Sequence, residues 1–186
     1  MTVDLPPPPA YRLDPHTLRE VVDDPEPVRR SVAALAAQLA AGGLDPTAEL
    51  AVRARLGSEL RVLGRYDEAL LVLRRAVVLA EAIGDRRRAH TARIRMAHAH
   101  QWRGEFATST AMFDRMLAGL ADLPPDLAGF TLQHAGRNLF DQCRYADAEE
   151  LFAEALQVWE SIGAPADQIA SSQAALTETR RRRGPQ

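Results

Sequence analysis

Histidines are the side chains of this sequence most suited to binding a metal ion, and four of the five fall between residues 90 and 134. His90, His98 and His100 lie on one predicted helix, and His134 lies on a later one. On a regular helix His98 and His100 point about 200° apart, and His90 is two turns from His98. His98 and His134 could meet, but no carboxylate or cysteine supports them at metal-ligand spacing. We predict no metal site and no cofactor.

Catalytic groupings are missing from the sequence. It has no glycine-rich phosphate loop, no nucleophile elbow and no paired carboxylates in a constricted setting. Cys143 occupies a predicted turn, where a spacer role is favoured over a nucleophile. Glu149, Glu150 and Glu154 are interpreted as the solvated outer face of one helix. We therefore expect a protein that is not an enzyme.

Two runs of identical residues, one near each end of the sequence, could take part in binding. Pro6–Pro9 could form a polyproline ligand, although a disordered tail is favoured. Arg180–Arg183 ends the last predicted helix, where cations interact favourably with the helix dipole. Contact with nucleic acid through one arginine run is a weaker interpretation.

Composition limits the class of protein further. The chain has 186 residues, 46% of them hydrophobic, with 23 basic and 25 acidic side chains and a net charge of -2. This balance allows a core of ordinary size and argues against global disorder and against a dedicated nucleic-acid or membrane-surface binder. A single cysteine, with no apolar run long enough to cross a membrane and no signal-peptide pattern at Met1–Ala10, predicts a cytoplasmic protein.

Helical signals dominate the sequence. No proline occurs between Pro46 and Pro124, good helix formers are abundant, and alternating strand patterns are missing. Asp14-Pro15 predicts a short first helix with Leu18, Val21 and Val22 on one face. Two further starts are predicted at Asp24-Pro25, for a helix that ends at Gly42-Gly43, and at Asp45-Pro46.

Three internal copies follow, with a period near 40 residues. Each copy carries a small residue, a turn, an aromatic residue and a second small residue in the same order. The corresponding residues are Gly57, Gly64, Tyr66 and Ala69; Ala97, Gly104, Phe106 and Ser109; and Gly136, Cys143, Tyr145 and Ala148. Small residues allow two helices to approach closely, so each copy is predicted to be a helix hairpin that must stack on its neighbours.

This pattern resembles the tetratricopeptide repeat family in its long-repeat bacterial variety, over about residues 50–163. The residues Gly-Arg-Tyr-Asp-Glu-Ala at 64–69 are close to the family's typical turn. The resemblance implies an all-α, right-handed α-solenoid of about nine helices. The domain scheme is a disordered tail (1–13), an N-terminal helical pair or cap (14–45), three repeats (46–163; about 50–83, 90–123 and 129–162), a C-terminal capping helix (164–183) and a tail (184–186).

The resemblance also implies a binding groove lined by the first helix of each copy. Carried over residue by residue, that groove comprises Arg55, Ser58, Arg61, Val62, Arg95, His98, Gln101, Trp102, Gln133, His134, Arg137, Phe140 and Asp141. Four arginines against one acid favour an acidic protein or peptide segment as partner. The expected function is a non-enzymatic peptide-binding module. The alternatives are a bacterial regulatory or sensor module that responds to a peptide, and a scaffold that forms homo-oligomers through its ends.

Overall fold

The computed structural model describes Pro7 and residues 9–184 and is 76% helical. Over these residues it contains eight α-helices, one 3-10 turn and two short strands. In chain order they are β1 (Arg12–Leu13), β2 (Glu20–Val21), α1 (Glu26–Ala41), α2 (Pro46–Val62), α3 (Tyr66–Ala82), α4 (Arg86–Trp102), α5 (Phe106–Ala118), the 3-10 turn Leu120–Asp122, α6 (Pro125–Asp141), α7 (Tyr145–Ser161) and α8 (Ala166–Arg183). The predicted all-α class of helix hairpins is confirmed, with eight α-helices in the described chain instead of nine. None of these helices has the length and apolar character to cross a bilayer.

Helix ends follow the chemistry of the capping residues. The Asp45 carboxylate accepts a hydrogen bond from the backbone N–H of Ala48 at 2.9 Å and so caps α2, with Pro46 in the first turn. The turn that follows α2 needs left-handed backbone, which Gly64 supplies at φ +74°. In the third copy Cys143 takes the same conformation at φ +59°, which costs a non-glycine residue about 1–2 kcal/mol.

The chain divides into two compact units. The first unit consists of the residues up to Arg12 and of Glu20–Gly104, and it contains α1–α4. Within it each helix packs on the next, and α2 also contacts α4. Its core includes Leu35, Leu56 and Leu60. At Gly57 an added methyl group would overlap the fully buried Leu73, so glycine is required where α2 crosses α3.

The second unit consists of Leu13–Arg19 and the residues from Glu105 onward, and it contains α5–α8. These helices also pack in sequence, each against its chain neighbour. A methyl group on Gly136 would lie 2.8 Å from Cε1 of Phe152, which has no exposed surface, so α6 and α7 approach closely at this point. The close approach predicted for the first and third copies is therefore present.

The helix predicted from Asp14-Pro15 is wrong. The segment instead forms β1 and β2, which make a two-stranded sheet on either side of a tight turn. The Asp14 carboxylate accepts hydrogen bonds from the backbone N–H groups of His16 (3.0 Å) and Thr17 (2.7 Å). An aspartate that bonds to the next N–H groups can start a helix or close a turn, and the sequence signal is the same for both. Here Leu18 has φ +55°, which ends the turn.

The predicted tails are only partly described. Residues 1–6, 8, 185 and 186 lie outside the described residues, so most of both predicted tails lies there. Arg12–Leu13, placed in the N-terminal tail by the sequence analysis, is strand β1 instead. The predicted C-terminal helix is observed as α8, which packs on α7, and its capping role stays a prediction.

Candidate ligand-binding surface

The first unit has an open cavity of about 650 Å3 where α2 lies beside α4. Three residues of the predicted groove line it: Arg55 and Ser58 from α2, and Arg95 from α4. Leu50, Ala51 and Ala54 also line it and add small apolar side chains. Three residues of the predicted groove therefore line one cavity, and their role in binding stays a prediction.

Arg55 is fixed in place by several acceptors. Its Nε donates to Glu59 Oε1 at 2.7 Å, and its Nη2 donates to Ser31 Oγ at 3.0 Å and to the carbonyl oxygen of Pro7 at 2.9 Å. Glu59 is only 2% exposed, so this carboxylate is committed to its arginine partner. Arg55 can still present the edge of its guanidinium to the cavity, but its own charge is already balanced.

Arg95 differs from Arg55 in having no counter-charge at contact distance among residues 7 and 9–184. Among the described residues, no hydrogen bond or ion pair reaches its guanidinium. Burial lowers the pKa of Arg95, and the neighbouring positive charge of Arg61 lowers it further, while Glu20 acts weakly in the opposite direction. Arg95 is therefore a half-buried cation with no ion-pair partner in the described part of the chain.

The N-terminal end of α4 completes the cavity wall with residues outside the predicted groove. Arg87 and Arg88 line it beside Asp85. Asp85 caps α4 by accepting from the backbone N–H of Arg88 at 2.8 Å, and its other oxygen accepts from Arg88 Nη1 at 3.2 Å. The arginine run at 86–88, directly after a capping aspartate, was the sequence signal that could have identified this wall.

Tyr11 also lines the cavity, from the segment that precedes β1. Burial raises the pKa of its hydroxyl to about 12, with the negative charge of Glu59 adding to the effect. The hydroxyl therefore stays protonated at neutral pH and can donate a hydrogen bond. Tyr11 falls within the segment predicted to be a disordered tail, so it was not among the predicted groove residues.

Arg61 and Trp102, both expected to face a ligand, contact each other. The Arg61 guanidinium carbon lies 4.1 Å from the centre of the Trp102 ring, a cation–π contact. The Arg61 side chain is 5% exposed and pairs with Glu20 of β2. Two further predicted groove residues, His98 and Gln101, are also buried, and Val62 is half-buried. In this unit the N-terminal segment thus covers part of the face predicted to bind a ligand.

The predicted groove residues of the second unit are mostly covered. Gln133, His134 and Phe140 are buried. Asp141 accepts from Arg19 Nη2 at 2.7 Å, and Arg137 Nη2 donates to Ser171 Oγ of α8 at 3.2 Å. The residues 13–19 and helix α8 therefore occupy the face that the resemblance assigns to a ligand.

Cys143 and Glu149 are two of the residues whose catalytic potential the sequence raised. Cys143 is exposed in its turn. Glu149, expected to be solvated, is 19% exposed and accepts from Arg180 Nε at 2.8 Å and Arg183 Nη1 at 2.9 Å, which holds its pKa below the usual value. Across the described residues, no three His, Cys, Asp or Glu side chains are grouped as ligands of a metal ion would be.

Comparison with known families adds one match. The model of the tetratricopeptide repeat matches residues 131–162, which cover most of α6 and all of α7. This range agrees with the third copy found in the sequence. No curated protein matches the chain.

Proposed function

We propose that this chain, whose residues 131–162 match the tetratricopeptide repeat, is a non-enzymatic module that binds a segment of a partner protein. The observation that carries the proposal is the cavity between α2 and α4. It lies on first helices of two successive copies, where repeats of this family present their ligand-facing side chains. Its volume is in the range of about 300–1,000 Å3 that is typical of ligand pockets.

An acidic partner segment suits this surface best. Arg55, Arg87, Arg88 and Arg95 line the cavity against two carboxylates, Glu59 and Asp85. Guanidinium groups bind carboxylates and phosphates through paired hydrogen bonds, so an anionic segment gains both charge and geometry here. The exposed Cys143 thiol suits a reducing compartment, and we place this activity in the cytoplasm.

The test is affinity capture from a cell extract with the wild-type protein and two charge-reversal variants. Arg95→Glu places a negative charge in the cavity, whereas Arg74→Glu makes the same change on exposed surface of α3. We expect a partner retained by the wild type and by Arg74→Glu to be lost with Arg95→Glu. For the partner so identified, losing a charged hydrogen bond should weaken binding about 10- to 100-fold.

Other outcomes identify the alternatives. A partner held equally by all three proteins would show that the cavity is not the binding surface. A mass that rises with protein concentration in the absence of any partner would favour the self-assembling scaffold instead.

A further inference from the structure

Among the described residues, one arginine of the cavity lining has no counter-charge. Arg55 and Arg88 donate to carboxylates of the same lining at 2.7 and 3.2 Å, and Arg87 also has an interaction partner within the chain. Arg95 has none in the described part of the chain, although it is half-buried beside the positive Arg61. A cation removed from water is unfavourable unless an anion accompanies it. The lining is therefore short of one negative charge, at Arg95.

The wall that α4 contributes is a line of side chains along one face of the helix. Arg88, Thr91 and Arg95 line the cavity and are spaced three and four residues apart, so they point to the same side. At a rise of 1.5 Å per residue, Arg88 and Arg95 lie about 10 Å apart along the helix axis. The arginine with a counter-charge is at one end of this line, and Arg95 is at the other.

The facing surface on α2 consists of small side chains at the same spacing. Ala51, Ala54 and Ser58 line the cavity and are all half-buried. Small side chains allow the main chain of a ligand to lie close to the helix, while the long arginines of α4 stand beside it. We call this part of the cavity the trough. An extended chain advances about 3.3 Å per residue, so a trough of about 10 Å accommodates about four residues.

We propose that the trough holds an extended stretch of about four residues of the partner segment, with small side chains over Ala51 and Ala54 and a single carboxylate on Arg95. The inference rests on the proposed function, since it names the motif that the same surface selects. One carboxylate supplies the one missing charge, through the paired hydrogen bonds that a guanidinium offers. A second acidic residue would meet no further arginine without a partner in the described lining. The selected motif is therefore one acid among small residues, and not an acidic run.

The test is an NMR titration of the full chain, followed by the chemical shifts of its backbone amides, with the blocked peptide acetyl-Ala-Ala-Glu-Ala-Ala-amide as the probe. One matched peptide replaces the glutamate by glutamine, and another carries a second glutamate beside the first. We expect saturable binding of the probe, with the glutamine peptide at least about 10-fold weaker. The second glutamate should strengthen binding by less than about 3-fold, because exposed charge pairs contribute little. A gain of 10-fold or more from it would overturn the assignment of a single carboxylate.

Variants locate the two parts of the site. Arg95→Gln should weaken the glutamate peptide at least about 10-fold and leave the glutamine peptide unchanged. Ala54→Leu fills the trough and should abolish saturable binding of the probe. The controls Arg74→Gln on α3 and Ala37→Leu on α1 make the same changes on exposed surface and should leave the affinity unchanged. Equal weakening of both peptides by Arg95→Gln, or normal binding by Ala54→Leu, would overturn the proposal.

Two further arms identify the source of the carboxylate. N-acetylglutamate α-amide carries the same side chain without neighbouring residues, and an affinity equal to that of the probe would overturn the assignment to an extended segment. Asp4, which lies outside the described residues, is an acid of this chain itself. Tighter binding of the probe by Asp4→Asn would show that this chain supplies the anion, and would overturn the assignment to a partner.

The captured partner separates this inference from the proposed function. Replacing the acidic residues of its bound segment by their amides should abolish its binding. A partner that requires Arg95 but still binds after these replacements would overturn the carboxylate inference and leave the proposed function intact. A partner that is indifferent to Arg95 would overturn both.

Discussion

Replacing Glu20 by glutamine should destabilise the first unit, because Glu20 is the counter-charge of a buried arginine. Arg61 is 5% exposed at its side chain and pairs with Glu20, which is 34% exposed. The Nε and Nη1 atoms of Arg61 are buried and have no hydrogen-bond partner among the described residues. Neutralising Glu20 therefore leaves Arg61 with the Trp102 ring as its main electrostatic partner.

The size of the effect follows from the exposure of the two partners. Breaking a fully buried ion pair costs about 3–5 kcal/mol, whereas an exposed pair contributes about 0–1 kcal/mol. With one partner buried and the other one-third exposed, we expect Glu20→Gln to lower the free energy of unfolding by about 1–3 kcal/mol. As a control in the same segment, Asp23→Asn breaks an exposed pair with Arg12 and should cost less than about 0.5 kcal/mol.

Urea denaturation followed by tryptophan fluorescence measures this effect in the first unit alone. Trp102 belongs to the first unit and Trp159 to the second, so the Trp159→Phe background reports only on Trp102. In this background Arg61→Met removes the buried charge, and adding Glu20→Gln to it should then cost almost nothing. Strict additivity of the two substitutions, or an unchanged midpoint for Glu20→Gln, would refute the reasoning.

Two further predictions concern the second unit. Gly136→Ala should lower the free energy of unfolding of the second unit by about 1–2 kcal/mol, because overpacking against buried Phe152 outweighs the gain in helix propensity. Urea denaturation followed by Trp159 fluorescence measures this change. An unchanged urea midpoint would show that α6 and α7 can accommodate the added methyl group. Hydrogen bonds from Arg181 and Arg182 lower the pKa of Glu178 from 4.5 to about 2, so its stabilising contribution is present above 4.5 and is lost as the pH falls toward 2. Urea midpoints at about pH 5 and about pH 2.5 should therefore differ less in Glu178→Gln than in the wild type, and an equal difference would contradict this linkage.

Local signals predicted the helices well because each is fixed by residues next to it. Asp45-Pro46 begins α2 through contacts within four residues, and Gly64 permits the turn that α2 requires. The spacing of Gly57 and Gly136 predicted close helix crossings because both fall at the same position of their copies. Such rules depend on neighbours in the sequence, and the chain follows them.

The candidate site was less predictable because its decisive contacts join distant residues. Glu20 pairs with Arg61 across 41 residues, and Arg19 pairs with Asp141 across 122. No periodic pattern links such residues, so the sequence could not show that an N-terminal segment covers much of the expected groove. Tyr11 was missed for the same reason, since its surroundings are supplied by α2 and α4.

The contacts of residues 13–19 also bear on how the protein is made. These residues belong to the second unit, where Arg19 pairs with Asp141 and the carbonyl oxygen of His16 accepts from Arg182 Nη2, 166 residues later. At about 5–20 residues per second, a ribosome needs roughly 6–24 s to reach Asp141 after Arg19. The first unit can fold during this interval, whereas the contacts of residues 13–19 in the second unit are complete only after Arg182 has been made. A chain that has not yet reached Arg182 therefore holds residues 13–19 without all of these partners.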